Sequence, residues 1–373
     1  MFLSDSHLPQ LLPPSCYADE QFARQELTQL FVPAWHYAGS LAELHSDGNF
    51  STATILDRPV ILWRQQGELH AFLNVCAHRF SKLTDQPCGR AERLTCQYHG
   101  WQYDASGDTQ KIPDSQNFRP LAGQRLGLTR LPLVVAGQLA LVNFTGQSPA
   151  DSPMHRHANV FERLFGPRSR LVFAIQREVP ANWKVVIENA VESYHVGFVH
   201  EASFGQMPSA ESCTHELAND YTRFVTDAPS QASRLVQRLE RLVHRLLGRP
   251  FVERYEHYHF FPNFTIATSK MFSAVMAVEP LSPGRSRLTL QLFGDPGERR
   301  NLAARAACRL ASRFAAKEVA KVIGEDLAVL PSIQQGLQSP DLPAGGLISI
   351  REERVHHFQQ WVQQRIGPAA ELA

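Results

Sequence analysis

The spacing of apolar residues changes period along the chain. After Pro13-Pro14-Ser15, the residues Phe22, Leu27, Leu30 and Phe31 recur on roughly one side of the stretch Ala18 to Phe31, which predicts an amphipathic helix. From Asn49 to Val75 the pattern shortens to strand runs, Thr54-Ile55-Leu56, Val60-Ile61-Leu62-Trp63 and His70-Ala71-Phe72-Leu73, with turn signals at Asp57-Arg58-Pro59 and Gln66-Gly67. Strand text continues from Leu126 to Asn143 and breaks at Gly146 to Pro153, where a domain boundary is expected. Beyond the break come a short helix near Asn159 to Leu164, a strand at Leu171 to Val179 and a long helix from Trp183 to about Phe198. Strands follow at Tyr255 to Phe261, Thr265 to Ser269, Ser273 to Val278 and Arg287 to Phe293, then helices at Glu298 to Leu330 and Arg351 to Ile366. Strands followed by helices, without regular alternation, predict an α+β domain with an antiparallel sheet behind a small all-β domain. Ser233 to Leu247 sets a stripe of Leu235, Val236, Leu239, Leu242, Val243 and Leu246 against four arginines and reads as a surface helix with a buried leucine face. The polar, mixed stretch Ser203 to Ala232 before it reads as a lid.

Composition narrows the class. A chain of 373 residues is long enough for two cored domains, and a net charge of +1 gives no pull toward nucleic acid or an anionic membrane. The longest apolar stretch, Leu131 to Phe144, contains Gly137 and Gln138 and is too short to span a bilayer. Met1 to Pro14 lacks a basic head followed by an apolar core, so no secretory signal is expected. Six scattered cysteines form no framework pattern, which fits a reducing cytoplasmic setting.

Two cysteine/histidine pairs carry the first chemistry: Cys76-Ala-His78 and Cys96-Gln-Tyr-His99. Each offers one thiolate and one imidazole, and either iron or zinc can take two of each. Zinc sites of this ligand count usually group cysteine with cysteine and histidine with histidine. Mixed pairs suit a [2Fe-2S] cluster with both cysteines on one iron and both histidines on the other. Cys88, between the pairs, reads as a spacer residue. The run from Cys76 through His78-Arg79, 17 intervening residues, then Cys96 to Trp101 and Tyr103-Asp104-Ala-Ser-Gly107 resembles the Rieske domain of ring-hydroxylating and related Rieske non-haem iron oxygenases.

A second group follows in Asn182-Trp-Lys184, Glu188-Asn189, Glu192-Ser-Tyr-His195 and His200. A mononuclear non-haem iron takes two histidines and a carboxylate on one face and leaves positions open for dioxygen. Glu192 and His195, three apart, share a helix face. His195 and His200, five apart, fall roughly 140° apart on a regular helix, so the helix must distort or end between them, with Gly197 or a bulge as the means. This run resembles the catalytic-domain signature of the same family, which makes His195 and His200 iron ligands and Glu192 the carboxylate that links the iron to the cluster. Most of the family has Asp at that link; Glu is a departure shared with the carnitine monooxygenase branch. The segment Gly324-Glu325-Asp326-Leu327 resembles the distal ligand segment, with Asp326 as third ligand and Glu325 as competitor. His356 and His357 read as packing and surface residues.

The resemblance implies an all-β Rieske domain over residues 35–148, a helix-grip-type catalytic domain over 149–373, and an N-terminal helical segment, 1–34, packed on the latter. It implies a terminal oxygenase with a Rieske cluster and mononuclear Fe(II), acting with O2 on a small organic substrate. It also implies a homotrimer in which Glu192 of one chain meets His99 of the partner subunit. No Gly-x-Gly-x-x-Gly follows a strand, so electrons are expected from a separate NAD(P)H-dependent reductase, with or without a ferredoxin. Phe204, Phe260, Phe261 and Phe264 are pocket candidates for an aromatic ring or a quaternary ammonium. The glutamate link favours monooxygenation or N-demethylation of an amine, against ring hydroxylation as the commoner family reaction. A Rieske electron carrier without oxygenase activity and a structural zinc protein are the alternatives.

Overall fold

The computed structural model describes residues 2–118, 126–201, 203, 207–227, 234–298 and 301–367, in two compact units: Met1–Val32 with Arg168–Ala373, and Pro33–Pro167. The N-terminal segment carries β1 (Leu8–Pro9) and α1 (Glu20–Glu26). The Asp19 side chain accepts from Phe22 N at 2.6 Å and starts α1, whose Phe22 is buried. The following turn widens, Val32 N bonding back to Leu27 O, so that Leu30 and Phe31 enter the core while Leu27 stays 37% exposed.

The unit Pro33–Pro167 is built from β2 (Trp35–Ser40), β3 (Asn49–Ile55), β4 (Arg58–Gln65), β5 (Glu68–Leu73), β6 (Cys88–Arg90), β7 (Leu94–Thr95), β8 (Gln102–Tyr103), β9 (Thr109–Lys111), β10 (Leu133–Ala136) and β11 (Leu139–Asn143). These form three antiparallel sheets in the orders β5-β4-β3-β6, β7-β8-β9 and β10-β11-β2. Two hairpins turn on paired left-handed residues, Leu56 with Asp57 and Gln66 with Gly67. Pro59 therefore lies inside β4, opposite Thr54, and not in the turn. Trp63, Phe72, Trp101 and Tyr103 fill the core beside Cys76 and Cys96. Cys88 is a strand residue paired with Ser51.

The compact unit runs on past residue 148 to Pro167 and includes α2 (Pro153–Arg156) and α3 (Ala158–Leu164), which pack on the β10–β11 hairpin. Phe161 and Phe165 are buried, and a Cβ at Gly137 would meet the Phe165 carbonyl at 2.4 Å.

The other unit continues through β12 (Arg170–Val179), α4 (Trp183–Val191), α5 (Val196–Val199), β13 (Cys213–Leu217), β14 (Tyr221–Asp227), α6 (Arg234–Leu247), β15 (Arg254–Phe260), β16 (Phe264–Ser269), β17 (Phe272–Ser282), β18 (Arg285–Gly294), α7 (Leu302–Leu337), β19 (Leu347–Ile348) and α8 (Glu353–Ile366). One seven-stranded antiparallel sheet runs β12-β18-β17-β16-β15-β14-β13, which makes the unit α+β. Two expectations need correction. The segment read as a lid contains β13 and β14, whose alternating burial extends the sheet; residues 202, 204–206 and 228–233 of this region lie outside the described residues. The helix expected from Trp183 to Phe198 is broken after Val191. In α6, Leu247 is buried against Met271 and Ala304 while Leu242 of the expected leucine face is 48% exposed; the side chains of Leu235, Val236 and Leu239 lie outside the described residues.

The N-terminal segment is tied into this unit by polar bonds that are themselves buried. Lys184 Nζ donates to Glu26 Oε1 at 2.6 Å and to Cys16 O at 2.9 Å, and Trp183 Nε1 donates to Glu26 Oε2 at 3.0 Å. Tyr17 donates to Glu188 at 2.6 Å, and Gln359 of α8 donates to the same carboxylate at 3.0 Å. The Lys184 and Glu26 side chains are 0% and 2% exposed, so removing one partner strands the other charge away from water. Lys184→Met should therefore lower unfolding free energy by ~3–5 kcal/mol in chemical denaturation; a loss near zero would show that the pair does not anchor the segment.

Candidate metal centres

Two loops of the Pro33–Pro167 unit repeat one backbone plan. In the first, Cys76 N bonds to Ser81 O and Phe80 N to Cys76 O; in the second, Cys96 N bonds to Trp101 O and Gly100 N to Cys96 O. The fourth residue after each cysteine takes the left-handed conformation, Gly100 at φ 72° and Phe80 at φ 61°. Glycine meets that demand without strain, whereas Phe80 adopts it with an 80% exposed ring. Both thiols are buried and both imidazoles lie toward the surface, the His78 and His99 ring centroids 4.7 Å apart. Trp101 stacks on His78 at 4.9 Å. Tyr103 Oη lies 3.1 Å from Cys76 Sγ and accepts from Ala77 N at 3.0 Å, so its own hydrogen is free to point at the sulfur. Burial is the main cause raising the Cys76 thiol. A cation or cluster must compensate before this thiol ionises, and two inner sulfurs with two outer imidazoles fit a mixed-ligand [2Fe-2S] cluster.

The second group lies where α4 ends. Val191 is the last helical residue, and Glu192 turns to an extended conformation at φ −113°, ψ 173°. The Glu192 carboxylate accepts from the backbone N–H of Tyr194 and, at 3.2 Å, of His195. It also meets His195 Nδ1. His195 and His200 then bracket the single turn α5, one before it and one after it. The break thus precedes His195 and does not fall between the histidines; Gly197 stays inside the turn. Glu192 reaches His195 across the break and not along a shared helix face.

Asp326 comes from α7. Its Oδ1 lies 3.6 Å from His195 Nε2 and 3.1 Å from His200 Nε2, and it accepts from Asn189 Nδ2 at 3.0 Å. One ligand atom from each of His195, His200 and Asp326 falls within 4.8 Å of the others. Glu325 faces elsewhere: it accepts from His200 Nδ1 at 2.8 Å and from Ser203 Oγ at 2.9 Å. Burial pushes the His200 imidazole down, and Asp326 with Glu325 outweigh it to hold the ring above its ordinary value. Each histidine therefore has Nδ1 engaged by a carboxylate and Nε2 aimed at the Asp326 oxygen. That arrangement fits a divalent metal held by two imidazoles and a carboxylate.

Sequence reasoning passed over the partners that orient these groups. Glu325 appeared there only as a rival ligand, and Asn189, Ser203 and Tyr103 had no role, because each acts across a long loop of chain. The phenylalanines proposed for a pocket take other places. Phe260 and Phe264 are buried core residues, Phe261 packs on Trp361 at 4.8 Å, and Phe204 lies outside the described residues. His356 and His357 bond to the carbonyls of Pro9 and Ala218.

Comparison with known proteins agrees with this architecture. Residues 168–368 match the ring hydroxylating alpha subunit (catalytic domain) family, and residues 34–131 match the Rieske [2Fe-2S] domain. The chain is 25% identical over 384 residues to the chloroplastic choline monooxygenase of Spinacia oleracea, covering 97% of this chain and 79% of that protein. It is 30% identical over 234 residues to the large oxygenase component of the naphthalene 1,2-dioxygenase system of Pseudomonas putida, covering 58% and 48%. The solved structure of the quaternary ammonium Rieske monooxygenase CntA in complex with L-carnitine superposes with a TM-score of 0.74 at 19% identity, covering 95% of each chain.

Titration with ferrous iron tests the second group. Asp326→Ala should abolish stoichiometric binding at this site, and Glu325→Gln should weaken it about 10- to 100-fold by releasing the His200 ring. Unchanged binding in Asp326→Ala would remove that carboxylate from the group.

Proposed function

The chain belongs to the family of ring hydroxylating alpha subunits, and from that premise we propose that it oxygenates a small quaternary ammonium substrate at His195, His200 and Asp326, with Cys76, His78, Cys96 and His99 holding the cluster. Its class is that of a Rieske oxygenase terminal component, an oxidoreductase that accepts electrons from separate partners. When bound, the [2Fe-2S] cluster and the mononuclear ferrous iron supply electron storage and dioxygen activation.

The observation that carries the site assignment is the pair of Nε2 atoms facing one Asp326 oxygen, with both Nδ1 atoms engaged by glutamates. Glu192 and Glu325 set the imidazole tautomers so that each Nε2 lone pair is presented to the metal. Asn189 fixes the carboxylate that completes the set. Around the cluster, Tyr103 offers a hydrogen bond to Cys76 Sγ and Trp101 fixes the plane of the His78 ring. The amine reading draws support from glutamate at position 192 and from the similarity to choline monooxygenase and CntA. Ring hydroxylation is the second reading, favoured by the similarity to the naphthalene dioxygenase component.

Glu192 is the group through which we connect the two centres, in a head-to-tail trimer where it meets His99 of the partner subunit. The electron donor in this reading is an NAD(P)H-dependent reductase. No helix among the described residues is long and apolar enough to cross a membrane, and no disulfide joins any of the six cysteines, in keeping with the reducing cytoplasmic setting of this reading.

With a reductase and NADH, oxygen uptake should depend on a quaternary amine and release formaldehyde or a hydroxylated amine; uptake driven only by aromatic hydrocarbons would favour the second reading. His195→Ala should keep the visible absorption of the cluster and lose substrate-dependent oxygen uptake. In Glu192→Ala both metals should remain while oxidation of the reduced cluster slows about 100-fold or more; rapid oxidation in that variant would refute the connecting role.

A further inference from the structure

Arg354, at the start of α8, is 1% exposed yet has no carboxylate partner among the described residues. Its three hydrogen bonds go to uncharged groups: Thr222 Oγ1, the Val191 carbonyl and His257 Nδ1, each at 3.0 Å. Burial pushes the guanidinium down to about 9, the mark of a charge without compensation.

The bond to His257 decides a tautomer. A guanidinium carries donors only, so His257 Nδ1 accepts and the ring hydrogen sits on Nε2. Burial, then Arg354 and His259, hold this imidazole neutral. Its Nε2–H has no hydrogen-bond partner among the described residues. Tyr255 lies two residues earlier on the same face of β15, its ring stacked on His257 at 6.4 Å and 23°. The Tyr255 hydroxyl is likewise without a partner among the described residues. Burial raises it to about 12, with Arg354 pulling it down and Asp326 pushing it up, so the phenol stands in the field of both the lone cation and the metal-site carboxylate.

We propose that the Tyr255 hydroxyl and His257 Nε2–H form a two-donor seat for a substrate carboxylate, with Arg354 as the positioning residue behind it. This rests on the proposed function above and sharpens it: the substrate is a zwitterion bearing both a quaternary ammonium and a carboxylate. Two neutral donors alone would serve an alcohol as well. The uncompensated Arg354 charge decides for an anion, because a carboxylate supplies the counter-charge that the protein withholds. Asp326 and Glu325 flank His200, while Arg354 stands behind His257. The ammonium half of the zwitterion is carried by the proposed function above and the carboxylate half by this seat.

Calorimetric binding to the iron-loaded, cluster-containing protein under anaerobic conditions tests this with two matched pairs, glycine betaine against choline and benzoate against benzyl alcohol. The carboxylate member should bind at least about tenfold more tightly than its alcohol, and Tyr255→Phe should remove about tenfold of that preference by weakening the carboxylate much more than the alcohol. His257→Phe should reduce the same preference, a ratio that general loosening of the fold would not shift. Preference within the benzoate pair alone would keep the seat and sink the ammonium reading. Equal affinity within both pairs, no binding by either carboxylate, or an equal loss in both members from Tyr255→Phe would overturn the seat.

Discussion

Two imidazoles five residues apart must turn the same nitrogen toward one carboxylate oxygen, and a continuous helix cannot do this. The chain meets the constraint by setting the two histidines at the two ends of the single turn α5, where His200 leaves helical geometry at φ −107°, ψ 25°, after α4 has already ended at Val191. Free N–H and C=O groups at such a break need partners. The Glu192 carboxylate takes the N–H groups of Tyr194 and His195, and Arg354 takes the Val191 carbonyl. The residue that orients the first imidazole therefore also makes the break tolerable. Burial of Lys184 and Trp183 with Glu26 anchors the other end of α4, so the helix is held at its start and released at its end.

Each of the three converging atoms, Nε2 of His195, Nε2 of His200 and Oδ1 of Asp326, is held by a group that does not itself converge with them. Glu192 and Glu325 work on the Nδ1 atoms, and Asn189 works on Asp326. Adjacent carboxylates in α7 are thereby given separate duties: Asp326 faces the two Nε2 atoms, and its neighbour stands behind one of them. Preorganisation of this kind places the cost of ordering in folding and not in metal binding.

In the other unit, two loops with matching hydrogen bonds carry their histidines one residue out of step, at the second position after Cys76 and the third after Cys96. The offset brings the two rings to 4.7 Å while both sulfurs stay in the core. The left-handed residue four positions after each cysteine closes the loop. At Phe80 that geometry costs roughly 1 kcal/mol and turns an aromatic ring outward beside the cluster position.

The Cys76/His78, Cys96/His99 and His195/His200 pairs stood out in the amino-acid order because their members are close in the chain and their spacing is set by local turns. The α+β plan was legible for the same reason, since strand and helix periods are local. Asp326 was expected from family resemblance, as no local spacing singles it out from Glu325. Glu192-Ser193-Tyr194 contains neither Gly nor Pro, and the helical reading ran through it; the Val191 carbonyl left at the stop is held by Arg354, 163 residues away. The tautomer of His257, the duty of Glu325 and the extension of the sheet by β13 and β14 were likewise decided only in three dimensions. A hydrogen bond between side chain and backbone across more than a hundred residues imposes no period and no spacing. Its donor and acceptor acquire their meaning when packing brings them together and removes the water that would otherwise satisfy them.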